Sequence, residues 1–224
     1  MRAESAFQPW KAQTEPESRW WAFVAMAVVV AGQWWVSSSL QLQPVWLFPA
    51  VAAVLLLVSI GIYLPLRTDP PKVLRVLALG LVTVVVIANA ASLGLLVTKV
   101  FGGTTLSPTS LLLTGLVLWL VDLTNFALLY WEMDGGGPEE RAEGCRSYPD
   151  LLFMQQQQAG WGPDDWKPTF ADYLYVSLTS ATAFSPTDTM PLSKQAKLAM
   201  GVESALSLGI LAVLVARAVN IAKG

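Results

Sequence analysis

Long apolar stretches without charged residues alternate with short polar stretches along the chain. About 20 apolar residues are needed to cross the hydrocarbon core of a bilayer as a helix. Five stretches have this character, and turns that contain proline, glycine or charged residues separate the first four from one another. The pattern therefore predicts an all-α membrane protein with five transmembrane helices, at about residues 20–38, 45–66, 73–100, 109–131 and 198–222.

The segment between the fourth and fifth of these stretches has a different character. Residues 132–167 are rich in glycine, proline, glutamine and acidic residues, which predicts a solvent-exposed extramembrane loop. Residues 168–193 follow, and they open with a plausible helix of three to four turns from Phe170 to about Thr182. This helix is too short to span a bilayer, and its hydroxyl groups and Asp172 do not suit a lipid-facing surface.

A proline at position 186 is expected to end this short helix. A short helix followed by extended backbone that returns to its starting side forms a re-entrant loop. Membranes tolerate such irregular backbone only where it is buried in protein or lines a wet cavity. The sequence leaves an alternative open, in which residues 168–190 form a sixth spanning helix.

Composition agrees with a multi-pass membrane protein and excludes several other classes. Hydrophobic residues make up 54% of the 224 residues and charged residues only 13%, against about 25% charged in an ordinary soluble domain. The net charge of −2 does not suggest nucleic acid as a partner. The chain has no histidine, and its single Cys145 cannot form an internal disulfide. We therefore expect no metal site, no cofactor and no enzymatic activity.

The stretch "YVSLTSATAFSPTDTMP", which begins at Tyr175, resembles the pore loop of tetrameric potassium channels. In an ungapped alignment, Tyr175 and Ser177 fall in the pore helix. Thr182 falls on the threonine that precedes the selectivity filter. Asp188 falls on the aspartate that follows the filter, and Pro191 on a later proline.

The resemblance extends over the C-terminal half and implies a division of the chain. It implies that the acidic loop corresponds to a turret, that the fourth span is an outer helix and that the last span is an inner helix with Gly209 at a hinge position. The implied parts are a polar N-terminal segment (1–19), three N-terminal transmembrane helices (20–104) and a channel-like pore domain (105–224), which contains the loop (132–167) and the pore helix and loop (168–193).

The resemblance fails where the family has its TVGYG filter. The corresponding residues are Ala183, Phe184, Ser185, Pro186 and Thr187. A potassium filter coordinates the ion with rings of backbone carbonyls, and its two glycines permit the backbone conformation that this requires. Both glycine positions here hold residues with a Cβ, and Pro186 fixes its own φ and restricts the residue before it. The sequence therefore predicts a pore-domain scaffold without a potassium filter.

This combination predicts either a weakly selective ion pore or a non-conducting channel homologue. One outer helix, one loop and one inner helix cannot close a pore alone, so the resemblance implies a homotetramer in the lipid bilayer. Monovalent cations are the expected permeant ions, and the plasma (inner) membrane is the expected location.

Four polar side chains within the predicted spans support a second hypothesis. Ionisable groups in a span are costly and point to a function or to a partner. Asp122 and Asn125 lie three residues apart on one face of the fourth span, Glu203 lies early in the last span, and Asn89 lies in the third. These residues either bind a cation or proton or only fix helix packing. The alternative function is a small transporter, or a lipid-interacting or structural membrane protein, that uses Asp122, Asn125 and Glu203.

Orientation is the point on which two arguments conflict. Lysine and arginine concentrate before the first span and between the second and third, which favours a cytoplasmic N-terminus. Five spans and a re-entrant loop would then bring the loop in from the cytoplasm. Potassium channels have the reverse arrangement, so the sequence leaves the orientation open.

Overall fold

The computed structural model of the chain is mostly helical and describes residues 8–66, 72–102, 107–158, 160–163, 166–182 and 188–223. The helices are α1 (Trp20–Leu40), α2 (Leu47–Tyr63), α3 (Val73–Phe101), α4 (Pro108–Met133), α5 (Pro138–Glu143), α6 (Phe170–Ala181) and α7 (Lys194–Lys223). Two short strands, β1 (Leu151–Leu152) and β2 (Met190–Pro191), form an antiparallel pair.

Four helices are long and apolar enough to cross a membrane, which confirms the hydrophobic pattern for these segments. They are Trp20–Leu40, Val73–Phe101, Thr109–Gly136 and Lys194–Val219. Helix α2 has 17 residues, which corresponds to about 25 Å at a rise of about 1.5 Å per residue. It is apolar but shorter than these four.

Helix α4 forms the centre of the bundle. It packs against α1, α3, α6 and α7. In its most apolar segment 61% of the residues are buried, compared with 28% in the corresponding segment of α7. The side chain of Ser107 caps its start by accepting a hydrogen bond from the backbone N–H of Ser110 at 3.1 Å. Pro108 follows at the first helical position, where the missing N–H costs nothing. Helix α4 therefore begins at these two residues.

Two separate apolar clusters fill the interior of the bundle. The larger lies toward the end where α1 begins and α4 ends, and it includes Val29, Val85 and Val121. The smaller lies toward the opposite end, and it includes Val36 and Leu118 among seven buried residues. Val117 of α4 packs against both clusters, and buried polar side chains such as Gln33 and Asn89 lie along α1 and α3 between residues of the two clusters.

Helix α6 begins at one end of the bundle, and the chain that follows it returns to the same end. The backbone N–H of Phe170 donates to the carboxylate of Glu17, just before α1. After α6, strand β2 pairs with β1, and the N–H of Leu192 donates to the carbonyl of Asp150 at 2.8 Å. Asp150 in turn is hydrogen-bonded to Asp134, at the end of α4. The chain on both sides of α6 is therefore fixed to the end where α4 finishes.

The structure does not contain the sixth spanning helix over residues 168–190 that the sequence left open as an alternative. Helix α6 ends at Ala181, and residues 190–191 are extended in β2. Its 12 residues rise about 18 Å, roughly half of the thickness of a bilayer core. Asp172 does not face lipid as a free charge, because its carboxylate accepts from the backbone N–H and hydroxyl of Thr169 at the helix start.

The predicted loop, residues 132–167, is more buried at its start than the sequence predicts. Its opening residues, Glu132 and Asp134 to Pro138, are buried together with Arg141 and Leu151. Gly135, Gly136 and Gly137 all have positive φ, a backbone conformation that glycine adopts at little cost. The three glycines turn the chain sharply back over the end of the bundle. This acidic, glycine-rich segment therefore forms a packed turn.

Candidate functional site

A buried carboxyl group on α7 joins three helices. Glu203 is fully buried and accepts a hydrogen bond from the hydroxyl of Tyr130 on α4. Its other carboxyl oxygen is hydrogen-bonded to the hydroxyl of Ser177 on α6. Ser177 also donates to the backbone carbonyl of Leu123 on α4 at 2.7 Å. We call these four residues the Glu203 network.

The number of protons available decides how this network is satisfied. The hydroxyl of Ser177 has a single proton, and the carbonyl of Leu123 can only accept one. If Ser177 donates to Leu123, then the carboxyl of Glu203 must donate to Ser177 and accept from Tyr130. A carboxyl group that carries its proton completes all three hydrogen bonds, whereas a carboxylate leaves one acceptor without a proton.

This proton count predicts which substitutions the site tolerates. Glu203→Gln can donate through its amide to Ser177 and accept from Tyr130, so we expect the variant to stay within about 1 kcal/mol of wild type. Glu203→Ala removes the described acceptor of the buried Tyr130 hydroxyl and one partner of Ser177, and it opens a cavity, so it should cost about 2–5 kcal/mol. Thermal unfolding in one detergent would compare them. Equal destabilisation by both substitutions would contradict the proposed network.

A second buried carboxyl group lies on α4. Asp122 is fully buried and accepts from the amide of Asn89 on α3 and from the hydroxyl of Ser207 on α7, at 3.2 Å each. Asn125, one turn further along α4, instead donates to the backbone carbonyl of Val82 on α3 at 3.2 Å. The interhelical hydrogen bonding that the sequence offered as one interpretation of Asn89 and Asn125 is therefore present.

The residues that the sequence grouped into one polar centre lie in distinct contacts. None of the hydrogen bonds described for Asp122, Asn125 and Glu203 joins one of them to another. Glu203 connects α7 with α4 and α6, whereas Asp122 connects α4 with α3 and α7. The two carboxyl groups, Asp122 on α4 and Glu203 on α7, therefore belong to separate hydrogen-bond networks that both involve α4 and α7.

A charged cluster closes the end of the bundle where α4 finishes. Arg19 forms ion pairs with the fully buried Glu132 and with Glu139. Arg75 donates to the backbone carbonyl of Glu132 at 3.1 Å, and Arg141 donates to the carbonyls of Trp131 and Asp134. Burial of Arg19 acts to lower its pKa, but the two carboxylates outweigh this and raise the pKa above its ordinary value. The guanidinium therefore stays charged.

Asp134 ties the loop to α6 within this region. Its carboxylate accepts from the backbone N–H groups of Asp150 and Leu151 at 2.8 and 3.0 Å and from the hydroxyl of Tyr173 on α6 at 2.6 Å. The sequence did not predict Asp134, Glu132 or Arg19 as partners. Their position directly at the ends of apolar stretches was the available indication, because charges there are close to buried surface.

The structure describes only the edges of the segment that aligns with the selectivity filter. Ala183, Phe184, Ser185, Pro186 and Thr187 lie outside the described residues. The hydroxyl of Thr182 donates to the carbonyl of Leu178 at 2.8 Å within the end of α6. Asp188 is half-buried, between α6 and β2.

Gly209, the expected hinge, lies inside the continuous helix α7. A Cβ at this position would come within 3.0 Å of a methyl carbon of Leu93 on α3. The glycine therefore lets α3 and α7 approach closely, and its role as a hinge stays a prediction.

Comparison of the chain with protein-family models, with curated proteins and with solved structures found no match.

Proposed function

We propose that the chain is a multi-pass protein of the plasma (inner) membrane with a pore-loop, channel-like architecture that assembles as a homotetramer and lacks a potassium filter. Such an assembly is either a weakly selective ion pore or a non-conducting channel homologue. The observation that carries the proposal is the short helix α6, whose 12 residues are about half a bilayer core in length and after which the chain is fixed to the same end of the bundle where α6 begins.

The contacts among α4, α6 and α7 support an outer helix, a pore helix and an inner helix. All three pairs of these helices pack against each other. The Glu203 network binds α6 to both partners in the interior, and the Asp134–Tyr173 hydrogen bond holds its outer end. A pore helix needs such attachments, because it does not cross the bilayer and cannot be positioned by its hydrophobic length.

Exposed apolar faces on α6 and α7 support assembly with further copies. Leu174, Tyr175 and Leu178 are exposed on α6, and Leu198 and Leu208 are exposed on α7 by 70% and 64%. In a fourfold arrangement, these faces lie between neighbouring subunits and along the central axis. We also count α2 as a span, which brings the number of spans to five, because its 17 residues reach the lower limit of about 17 for a transmembrane helix.

Site-directed labelling tests the re-entrant path with cysteines at exposed positions. Cys145 is the single cysteine of the chain and is exposed. In a Cys145→Ser background, we expect Met190→Cys to react with a membrane-impermeant maleimide from the same side as the native Cys145. Phe101→Cys, at the other end of the bundle and 72% exposed, should react only from the opposite side and serves as the control.

The same experiment determines orientation. The hydrogen bond that Cys145 donates to Glu143 raises the pKa of its thiol, so labelling is best carried out at mildly alkaline pH. Channel-like orientation predicts that Cys145 and Met190→Cys are labelled from outside intact cells. Labelling of these two positions from opposite sides would reject the re-entrant path, and labelling of both from the cytoplasm would reject the channel orientation.

A further inference from the structure

A layer of buried polar side chains lies where the two apolar clusters of the bundle meet. On α1, Gln33 lies between Val29 of the larger cluster and Val36 of the smaller one. On α3, Asn89 and Ser92 lie between Val85 and Leu96 in the same way. Ser207 precedes Ile210 of the smaller cluster on α7, and Asp122 lies beside Val121 and one turn from Leu118 on α4. Every polar residue of this layer is fully buried.

Among the residues that the structure describes, no cationic side chain is paired with the single carboxyl group of this layer. Asp122 accepts hydrogen bonds from two neutral groups, those of Asn89 and Ser207. The ion pairs among the described residues all lie at the end of the bundle near Arg19 and the loop. A carboxylate without a countercharge in the interior of a membrane protein is very costly. Both oxygens nevertheless accept from donors, as those of a carboxylate do.

Several oxygen atoms of the same layer also lack a partner. Among the described residues, no hydrogen bond reaches the amide oxygen of Asn89, the hydroxyl of Ser92 or either polar atom of Gln33. Ser92 follows Asn89 by three residues on α3, so the two side chains share a helix face. Buried polar atoms in native proteins are nearly always paired, and an unpaired group calls for a bound ion or water.

The donor set indicates the class of ion. Carboxylate, amide and hydroxyl oxygens are ligands for hard cations, whereas transition metals prefer imidazole and thiolate. Calcium sites commonly combine several carboxylates, and the described part of the chain has no group of three or more histidine, cysteine, aspartate or glutamate residues that could hold a metal. One negative charge among neutral oxygens matches a single positive charge.

We propose that Asp122, together with the side-chain oxygens of Asn89, Ser92 and Ser207, binds a dehydrated Na⁺ ion between α3, α4 and α7. The ion supplies the charge that Asp122 lacks and a partner for oxygens that have none. The site belongs to the interior of each subunit and does not depend on the re-entrant path of α6. It therefore goes beyond the proposed pore function and stands or falls separately from it.

Binding of ²²Na⁺ to the purified full chain in detergent tests the proposal. We expect saturable binding of one ion per chain that excess unlabelled Na⁺ displaces. Asp122→Asn keeps the shape of the side chain and both hydrogen-bond positions, and should weaken binding by about tenfold or more. Glu203→Gln is the matched control, because it replaces the buried carboxyl group on α7, which is not part of the proposed site, with an amide of similar shape and should leave Na⁺ binding unchanged.

A second measurement keeps the test valid if Asp122→Asn folds poorly. NaCl should raise the melting temperature of the wild type above that in choline chloride at equal ionic strength, because a ligand that binds only the folded state stabilises it. Ser207→Ala, a smaller change, should reduce this rise. The absence of saturable Na⁺ binding in the wild type, which is the result if a proton neutralises Asp122, would overturn the proposal. Equal Na⁺ binding by Asp122→Asn would overturn it as well.

Discussion

Replacing Arg19 with methionine is expected to destabilise the folded protein by about 3–5 kcal/mol. Glu132 is fully buried and has Arg19 as its ion-pair partner, so the substitution leaves a charge inside the bundle without its countercharge. Chemical unfolding in a single detergent, followed by circular dichroism, measures the loss. Stability should return in part when Glu132→Gln is added, because the orphaned charge is then removed.

The matched control is Lys72→Met, at the same end of the bundle. Lys72 is 3.9 Å from Glu140, and its side chain is 93% exposed. Exposed ion pairs contribute about 0–1 kcal/mol, so this substitution should have little effect, although it removes the same charge. If the Arg19 and Lys72 variants were equally stable, the charged cluster would not be holding the end of the bundle together.

The second large effect concerns ion selectivity. In planar bilayers with K⁺ on one side and Na⁺ on the other, any current that the purified protein carries should reverse close to zero millivolts. The reason is the sequence at the filter position, where Ser185 and Pro186 replace residues of a carbonyl-ring filter. A potassium filter discriminates through its ring of backbone carbonyls, and proline restricts the backbone that would have to form it.

A channel with an intact potassium filter, recorded in the same lipid, provides the comparison, and it should reverse far from zero. A reversal potential for the present protein near that of the comparison channel would refute the replaced-filter argument. The bundle fold would be unaffected by that result, because the described helices do not include the filter positions.

Hydrophobic length was sufficient to predict where the long helices lie. An apolar stretch such as residues 73–100 has no other stable state in a bilayer than a helix, and α3 covers Val73–Phe101. The end of α6 was also predictable to within a residue, since a proline a few residues on restricts the helix. These features depend on local sequence alone.

Partners across the bundle were not predictable in the same way. Asn89 and Asp122 are 33 residues apart, and Arg19 and Glu132 are 113 apart. Which polar groups meet depends on the rotation and crossing of packed helices, and a single sequence does not contain that information. The acidic loop shows the same limit, because its composition suggested exposure whereas contacts with Arg141 and Tyr173 bury its first residues.

Counting the subunits of the assembly tests the channel-like account most directly. Each chain has a mass of 24.2 kDa, and native mass spectrometry of the protein released from lipid nanodiscs resolves whole numbers of such chains. The account predicts a complex of four chains, with the exposed faces of α6 and α7 buried between them. A particle of one or two chains would contradict it and would favour a small transporter or lipid-interacting protein.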